Sequence, residues 1–112
     1  MTQLLKTSKD QMKVWRHHLH QHPETEFSVF DTAALVVQKL TEFGLIVHEG
    51  IGKIGIVGQL TKGTSDQAIG LRADMDALAI QEQNEFPHKS LNDGCMHACG
   101  HDGHTSMLLG AA

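Results

Sequence analysis

His97-Ala98-Cys99-Gly100-His101-Asp102-Gly103-His104 sets three imidazoles, a thiol and a carboxylate into one short segment punctuated by two glycines. These are the ligand types that borderline transition metals prefer. The same composition suits an incidental polar loop, and a single Cys-x-His pair does not by itself define a metal site. The surrounding segments therefore decide what the stretch is for.

The chain has 112 residues, enough for one domain at most. Its 40% apolar and 20% charged residues are a globular composition rather than a disordered one. A formal charge of −4 and a pI near 6.1 give no basic footprint for nucleic acid. The opening Met1-Thr2-Gln3-Leu4-Leu5-Lys6-Thr7 lacks the apolar core of a signal peptide. The longest apolar run, Ala33 to Val37, is far short of membrane-spanning length. The expectation is a cytoplasmic protein with reduced Cys95 and Cys99 and no membrane or nucleic-acid partner. Histidine is the outlier, with nine copies, most of them in two clusters: His17, His18, His20 and His22, then His97, His101 and His104.

Working outward, Ser8-Lys9-Asp10-Gln11 reads as a capping box that opens a helix with Met12, Trp15 and Leu19 on its core face. Pro23 predicts its end near His22. His17, His18, His20 and His22 spread around that helix, so a solvated or partly packed role is expected for most of them. A second helix is predicted from about Val29 to Phe43, with Ala33, Val36, Val37 and Leu40 as its stripe and Gly44 just past its end. Leu45–His48, Ile54–Leu60 and Ile69–Ala73 read as strands. Thr105–Ala112 reads as the start of a buried helix with no cap or polar last turn, which predicts a chain cut from a longer product.

Gly50-Ile51-Gly52-Lys53-Ile54-Gly55 satisfies the dinucleotide-binding pattern G-x-G-x-x-G, with Asp74 at the expected spacing. That motif requires the glycines to lead into a helix. Here they lead into β-like sequence, so a turn between strands is predicted instead. Asp74 and Asp76 close the third strand one residue apart and would point the same way on an extended chain. Taken alone, a solvated strand end explains them better. Gln81 to Gly94, rich in turn residues, reads as a surface excursion.

Three segments taken together are specific. Leu19-His20-Gln21-His22-Pro23-Glu24, Arg72-Ala73-Asp74-Met75-Asp76-Ala77-Leu78 and Met96-His97-Ala98-Cys99-Gly100-His101-Asp102-Gly103-His104 resemble, in order and spacing, successive signatures of the M20 metallopeptidase family. The resemblance is to its amidohydrolase branch, which includes hippurate hydrolases, N-acyl-amino-acid amidohydrolases and plant auxin-conjugate hydrolases. It implies an α/β fold: residues 1–112 as the N-terminal portion of a metallopeptidase-type catalytic domain, two helices followed by strands of a mixed sheet and the start of a further helix. The lid or dimerisation domain and the C-terminal part would then be absent.

The resemblance also implies a centre of two divalent metals, manganese or zinc, with cobalt or nickel also compatible, that hydrolyses the amide bond of small N-acylated amino acids. It makes Cys99 and His101 the metal ligands, and Asp76 a carboxylate that orients a metal-binding histidine. The family's histidine position before it is Asp74 here. His97, Asp102 and His104 are supporting groups on this reading. The family's general-base glutamate lies in a Glu-Glu pair beyond the Cys-x-His motif, and no Glu follows Cys99 in this chain. The competing expectations are a catalytically inactive remnant and a small metal-binding or interaction module, with the exposed apolar edge associating with another surface or a second copy.

Overall fold

The computed structural model describes residues 2–112, with the backbone alone for residue 4. Trp15 and Leu19 are buried on one face of helix α1 (Thr2–Gln21), and Met12 packs beside them. The helix starts six residues ahead of the Ser8 box. Nothing in Thr2–Thr7 breaks a helix, and extending an existing one costs little. Thr7 Oγ1 donates to the Gln3 carbonyl at 3.0 Å, inside the helix rather than at a cap. The C-terminal end falls at Gln21, ahead of Pro23.

Helix α2 (Phe30–Glu42) buries Ala33, Val36 and Leu40, with Val37 half-buried. Its end is a Schellman turn: Gly44 has φ +84°, its N–H donates to the Thr41 carbonyl, and the Leu45 N–H donates to the Leu40 carbonyl. Strand β1 (Ile46–Ile51) then pairs antiparallel with β2 (Gly55–Gln59), with a bulge between His48 and Ile51. The glycine-rich segment forms this hairpin's turn, with positive φ at Gly50, Gly52 and Lys53. It leads into a strand and not a helix, so no pyrophosphate-binding helix end is built there.

The expected third strand, Ile69–Ala73, does not form. Only β1 and β2 make a sheet among the described residues, so the chain's own sheet is antiparallel rather than mixed. A β-branched run becomes a strand only when a neighbour offers ladder bonds, and here Ile69 and Leu71 stay largely exposed. The segment after it is held by two isolated bridges, Thr25 with Ala77 and Leu78 with Met96.

Helix α3 (His101–Ala111) packs on α1 and buries Leu109 against Trp15, Val36 and Leu40. The two helices approach closely at Gly110, where a side chain would run into Met12. Met107 points away from this core and is exposed. No helix among the described residues is long and apolar enough to cross a membrane.

Candidate metal centre

The site is built on a single backbone reversal. Gly100 lies at φ +91°, ψ 12°, in the left-handed region, and its carbonyl accepts the His104 N–H that opens α3. Glycine adopts this conformation without the Cβ penalty other residues meet. The turn separates exposed Cys99 from His101, the first residue of α3.

His101 is held from the other side by residue 76. Its Nδ1 is 2.8 Å from the Asp76 carbonyl and 3.1 Å from Asp76 Oδ1. A carbonyl and an ionised carboxylate only accept, so Nδ1 carries the hydrogen. The lone pair of the neutral ring then lies on Nε2, the arrangement in which histidine binds metals. Asp74 takes different partners. Its carboxylate pairs with Arg72 at 2.9 Å, and that hydrogen bond and charge hold its pKa down. Its carbonyl accepts from Thr105 Oγ1 at 3.0 Å and so ties the segment to α3. The strand on which the two carboxylates were expected to align does not form.

The other members of the His/Cys stretch fill other positions. His104 is exposed, its ring centre 5.8 Å from that of His101. His97 is buried with no hydrogen-bond partner on either ring nitrogen, and burial pushes its pKa down. Asp102 is buried and turned towards α1. Cys95 lies outside the turn: its thiol donates to the Pro23 carbonyl at 3.4 Å, and burial, followed by the charge of Glu24, pushes its pKa up. That disfavours the thiolate a metal needs.

Beneath the site runs a buried ionic network that sequence reading did not anticipate. His20 Nδ1 is 2.8 Å from Asp102 Oδ2, and His20 Nε2 is 2.6 Å from Glu82 Oε1. Both nitrogens can donate only in the imidazolium form. Burial works against that charge, but the two carboxylates outweigh it and raise the pKa of His20. Burial likewise opposes the charge on Glu82. The Ser90 N–H, His20 and Asn84 overcome it and lower the Glu82 pKa. For Asp102, burial is offset by His20, the Gly103 amide, His97 and Arg16, and its pKa is lowered too. Glu82 sits in the stretch that reads as a surface excursion. Most of that stretch is exposed, but it is strapped to the end of α1 by Leu91 N–H to the Gln21 carbonyl and Asn92 Nδ2 to the Pro23 carbonyl. No spacing rule links Glu82 to His20; the one available hint was a histidine beside Leu19 on the core face of a helix.

Glu24 is a second scaffold residue. Its carboxylate accepts from the Asp31 N–H, the Thr32 N–H and Thr32 Oγ1, at 3.0, 2.7 and 2.6 Å. It caps α2, whose own N-cap residue Val29 has no side chain to do so. Its carbonyl accepts the Ala77 N–H at 2.7 Å and thereby anchors the segment that carries Asp76.

The donor set of Cys99 thiol and oriented His101 imidazole fits a borderline divalent ion. It is a partial set: no group of three or more His, Cys, Asp or Glu among the described residues is arranged to hold a metal.

Comparison with known proteins identifies relatives of the chain. Residues 70–112 match the model of peptidase family M20/M25/M40. Hippurate hydrolase of Campylobacter jejuni is 60% identical over 97 residues, which cover 87% of this chain and 25% of that protein. N-acyl-L-amino acid amidohydrolase of Geobacillus stearothermophilus is 46% identical over 104 residues, 93% of this chain and 28% of that protein. The YxeP protein of Bacillus subtilis, described as a dinuclear metal binding peptidase from the M20 family, superposes with a TM-score of 0.87 at 35% identity. That match covers 93% of this chain and 29% of the other. The chain thus spans about a quarter of the length of the curated relatives it matches.

Proposed function

We propose that the chain, which matches the peptidase M20/M25/M40 family model over residues 70–112, contributes part of the metal centre of an enzyme that hydrolyses the amide bond of N-acylated amino acids. The observation that carries this reading is the His101 ring, held through Nδ1 by Asp76 and set one left-handed glycine away from an exposed thiol. Cys99 and His101 would hold the ion, and Asp76 would fix the tautomer and direction of the His101 ring. A bound pair of zinc or manganese ions would supply an acidified water and a polarised amide carbonyl.

Glu82 and Glu24 position rather than transfer protons. Glu82 is committed to His20, Asn84 and Ser90, and Glu24 to the start of α2. Neither is free to act as the general base that amide hydrolysis needs. On this reading the remaining ligands and the proton-transferring carboxylate come from other parts of the complete enzyme. The partial donor set also favours a second reading, a metal-holding module without turnover.

Two measurements on the 112-residue chain test the proposal. Competition titration with Zn²⁺ should show binding that Cys99→Ser weakens at least tenfold. Binding equal in wild type and variant would overturn the ligand assignment. Incubation with N-acetyl or N-benzoyl amino acids should release no free amino acid. Turnover would show that the base lies within these residues.

A further inference from the structure

Three imidazoles of the first histidine cluster, His17, His18 and His22, take no part in the ionic network beneath Cys99 and His101. His18 and His22 stand four residues apart at the C-terminal end of α1, both exposed. Their ring centres are 4.5 Å apart, with the planes tilted by 33°. We propose that this pair is a second metal site, a surface chelate for a divalent transition ion of the zinc type with water completing its coordination.

Three observations carry the assignment. The first is spacing. Histidines four apart on a helix share one face, the relation by which helical His pairs grip zinc. A nitrogen ligand about 2 Å from the ion puts each ring centre roughly 3.2 Å away, so two rings meeting at a tetrahedral angle have centres about 5 Å apart. The observed 4.5 Å is reached from there by a small rocking of either side chain.

The second is orientation. His22 Nδ1 lies 2.8 Å from the His18 carbonyl oxygen, which can only accept. Nδ1 therefore carries the hydrogen and Nε2 keeps its lone pair, the outer support that metal-binding histidines commonly use. The third is the field. The same His18 carbonyl and its neighbours form the negative end of the α1 dipole, which favours a cation placed there. Burial and the neighbouring His22 also lower the pKa of His18, leaving its ring available in neutral form.

The neighbouring His17–His88 pair shows what the geometry must avoid. Those rings are stacked at 3.7 Å with planes 3° apart. Ring lone pairs lie in the ring planes, so parallel stacked rings cannot aim at one ion.

The test uses the full chain carrying Cys99→Ser and His101→Asn, so that the other donor set is removed, and Zn²⁺ alone as the probe. Zinc is redox-inert and leaves Cys95 unoxidised. Long-range ¹⁵N–¹H correlation of the imidazoles should show the His18 and His22 resonances moving together as the first equivalent is added. His18→Ala and His22→Ala should each weaken binding at least about tenfold, because one arm of a two-arm chelate is lost. His48→Ala should leave it unchanged. If other histidines respond first, or His18 and His22 do not respond, the proposal fails. The resonance readout is made without changing either histidine, so it holds even where an alanine variant does not fold.

Discussion

Replacing His20 with glutamine tests the ionic network most directly. The three side chains involved are 8% (His20), 2% (Glu82) and 1% (Asp102) exposed, so the figures for buried rather than surface ion pairs apply. Removing one partner of a buried pair costs about 3–5 kcal/mol, because the other charge is left without compensation. Here two carboxylates lose a shared cation, but neither is stranded: Arg16 remains 3.4 Å from Asp102, and Asn84 and the Ser90 N–H remain on Glu82. The lower end, about 3 kcal/mol, is therefore expected. Glutamine does not rescue the site, since it donates from one end only and presents its carbonyl oxygen to the second carboxylate.

The loss should depend on pH in a direction the shifts dictate. His20 has a folded pKa above its ordinary 6.5. Its contribution is complete below pH 6.5 and disappears as the pH rises through the raised folded value. Asp102 and Glu82 have folded pKa values below their ordinary 3.8 and 4.5. Their contributions are complete above those values and disappear as the pH falls through the lowered ones. All three act together between pH 4.5 and 6.5. Buried His97 works the other way, its lowered pKa costing stability as the pH falls below 6.5. Burial, the main cause of that shift, is common to wild type and variant, although the His20 charge also contributes to it. Urea unfolding at pH 6 and pH 9 should give a difference of about 3 kcal/mol at pH 6 and a clearly smaller one at pH 9. A difference under about 1 kcal/mol at pH 6, or one that does not change with pH, would refute the doubly donating imidazolium.

Gly100→Ala should cost about 1–2 kcal/mol through the left-handed backbone alone, since the nearest atom to an added Cβ is His104 Nε2 at an ordinary 3.9 Å. A urea midpoint equal to that of wild type would contradict the φ of +91°. Glu24→Ala should cost about 1–2 kcal/mol, the scale of a lost helix cap, and hydrogen exchange should quicken first at the amides of Asp31 and Thr32. Exchange that quickens no more there than in the rest of α2 would argue against the cap. Asp76→Ala should weaken Zn²⁺ binding about ten- to hundredfold, the usual effect of removing a ligand's outer partner, with little change in stability because Asp76 is partly exposed. An unchanged affinity would mean that the Asp76 carbonyl alone holds the His101 ring.

Local signals were legible and long-range ones were not. Gly44 marked the end of α2 because a left-handed C′ residue is a one-position requirement. The Gly50–Gly55 segment showed itself a turn because it runs into β-like residues, Ile56 and Val57, rather than into helix formers. The start of α1 was misplaced because the Ser8 box is an equally local signal, overridden by helix formers before it. Ile69–Ala73 has strand composition, but a strand is a relation between two segments. The link from Glu82 to His20 crosses 62 residues and that from Asp102 to His20 crosses 82. Neither has a period or a motif to announce it, so charges that fold into the interior looked like charges exposed to water.

The three signatures differ in what they contribute physically. Of the Leu19–Glu24 segment, Leu19 packs in the core, His20 binds Asp102 and Glu82, the Pro23 carbonyl accepts from Asn92 and Cys95, and Glu24 caps α2. None of those contacts involves Cys99. The segment acts through distance: it fixes Asp102, which immediately follows His101, and its backbone fixes Ala77, which immediately follows Asp76. The two residues that meet at Nδ1 of His101 are thus each pinned by the neighbour next in sequence, one through an ion pair and the other through a backbone bridge. A ligand on an exposed turn is ordinarily mobile, and ordering it on metal binding would cost entropy. If His101 holds an ion as proposed, anchoring the residue beside each partner would reduce that cost without placing another polar group in the ion's coordination shell.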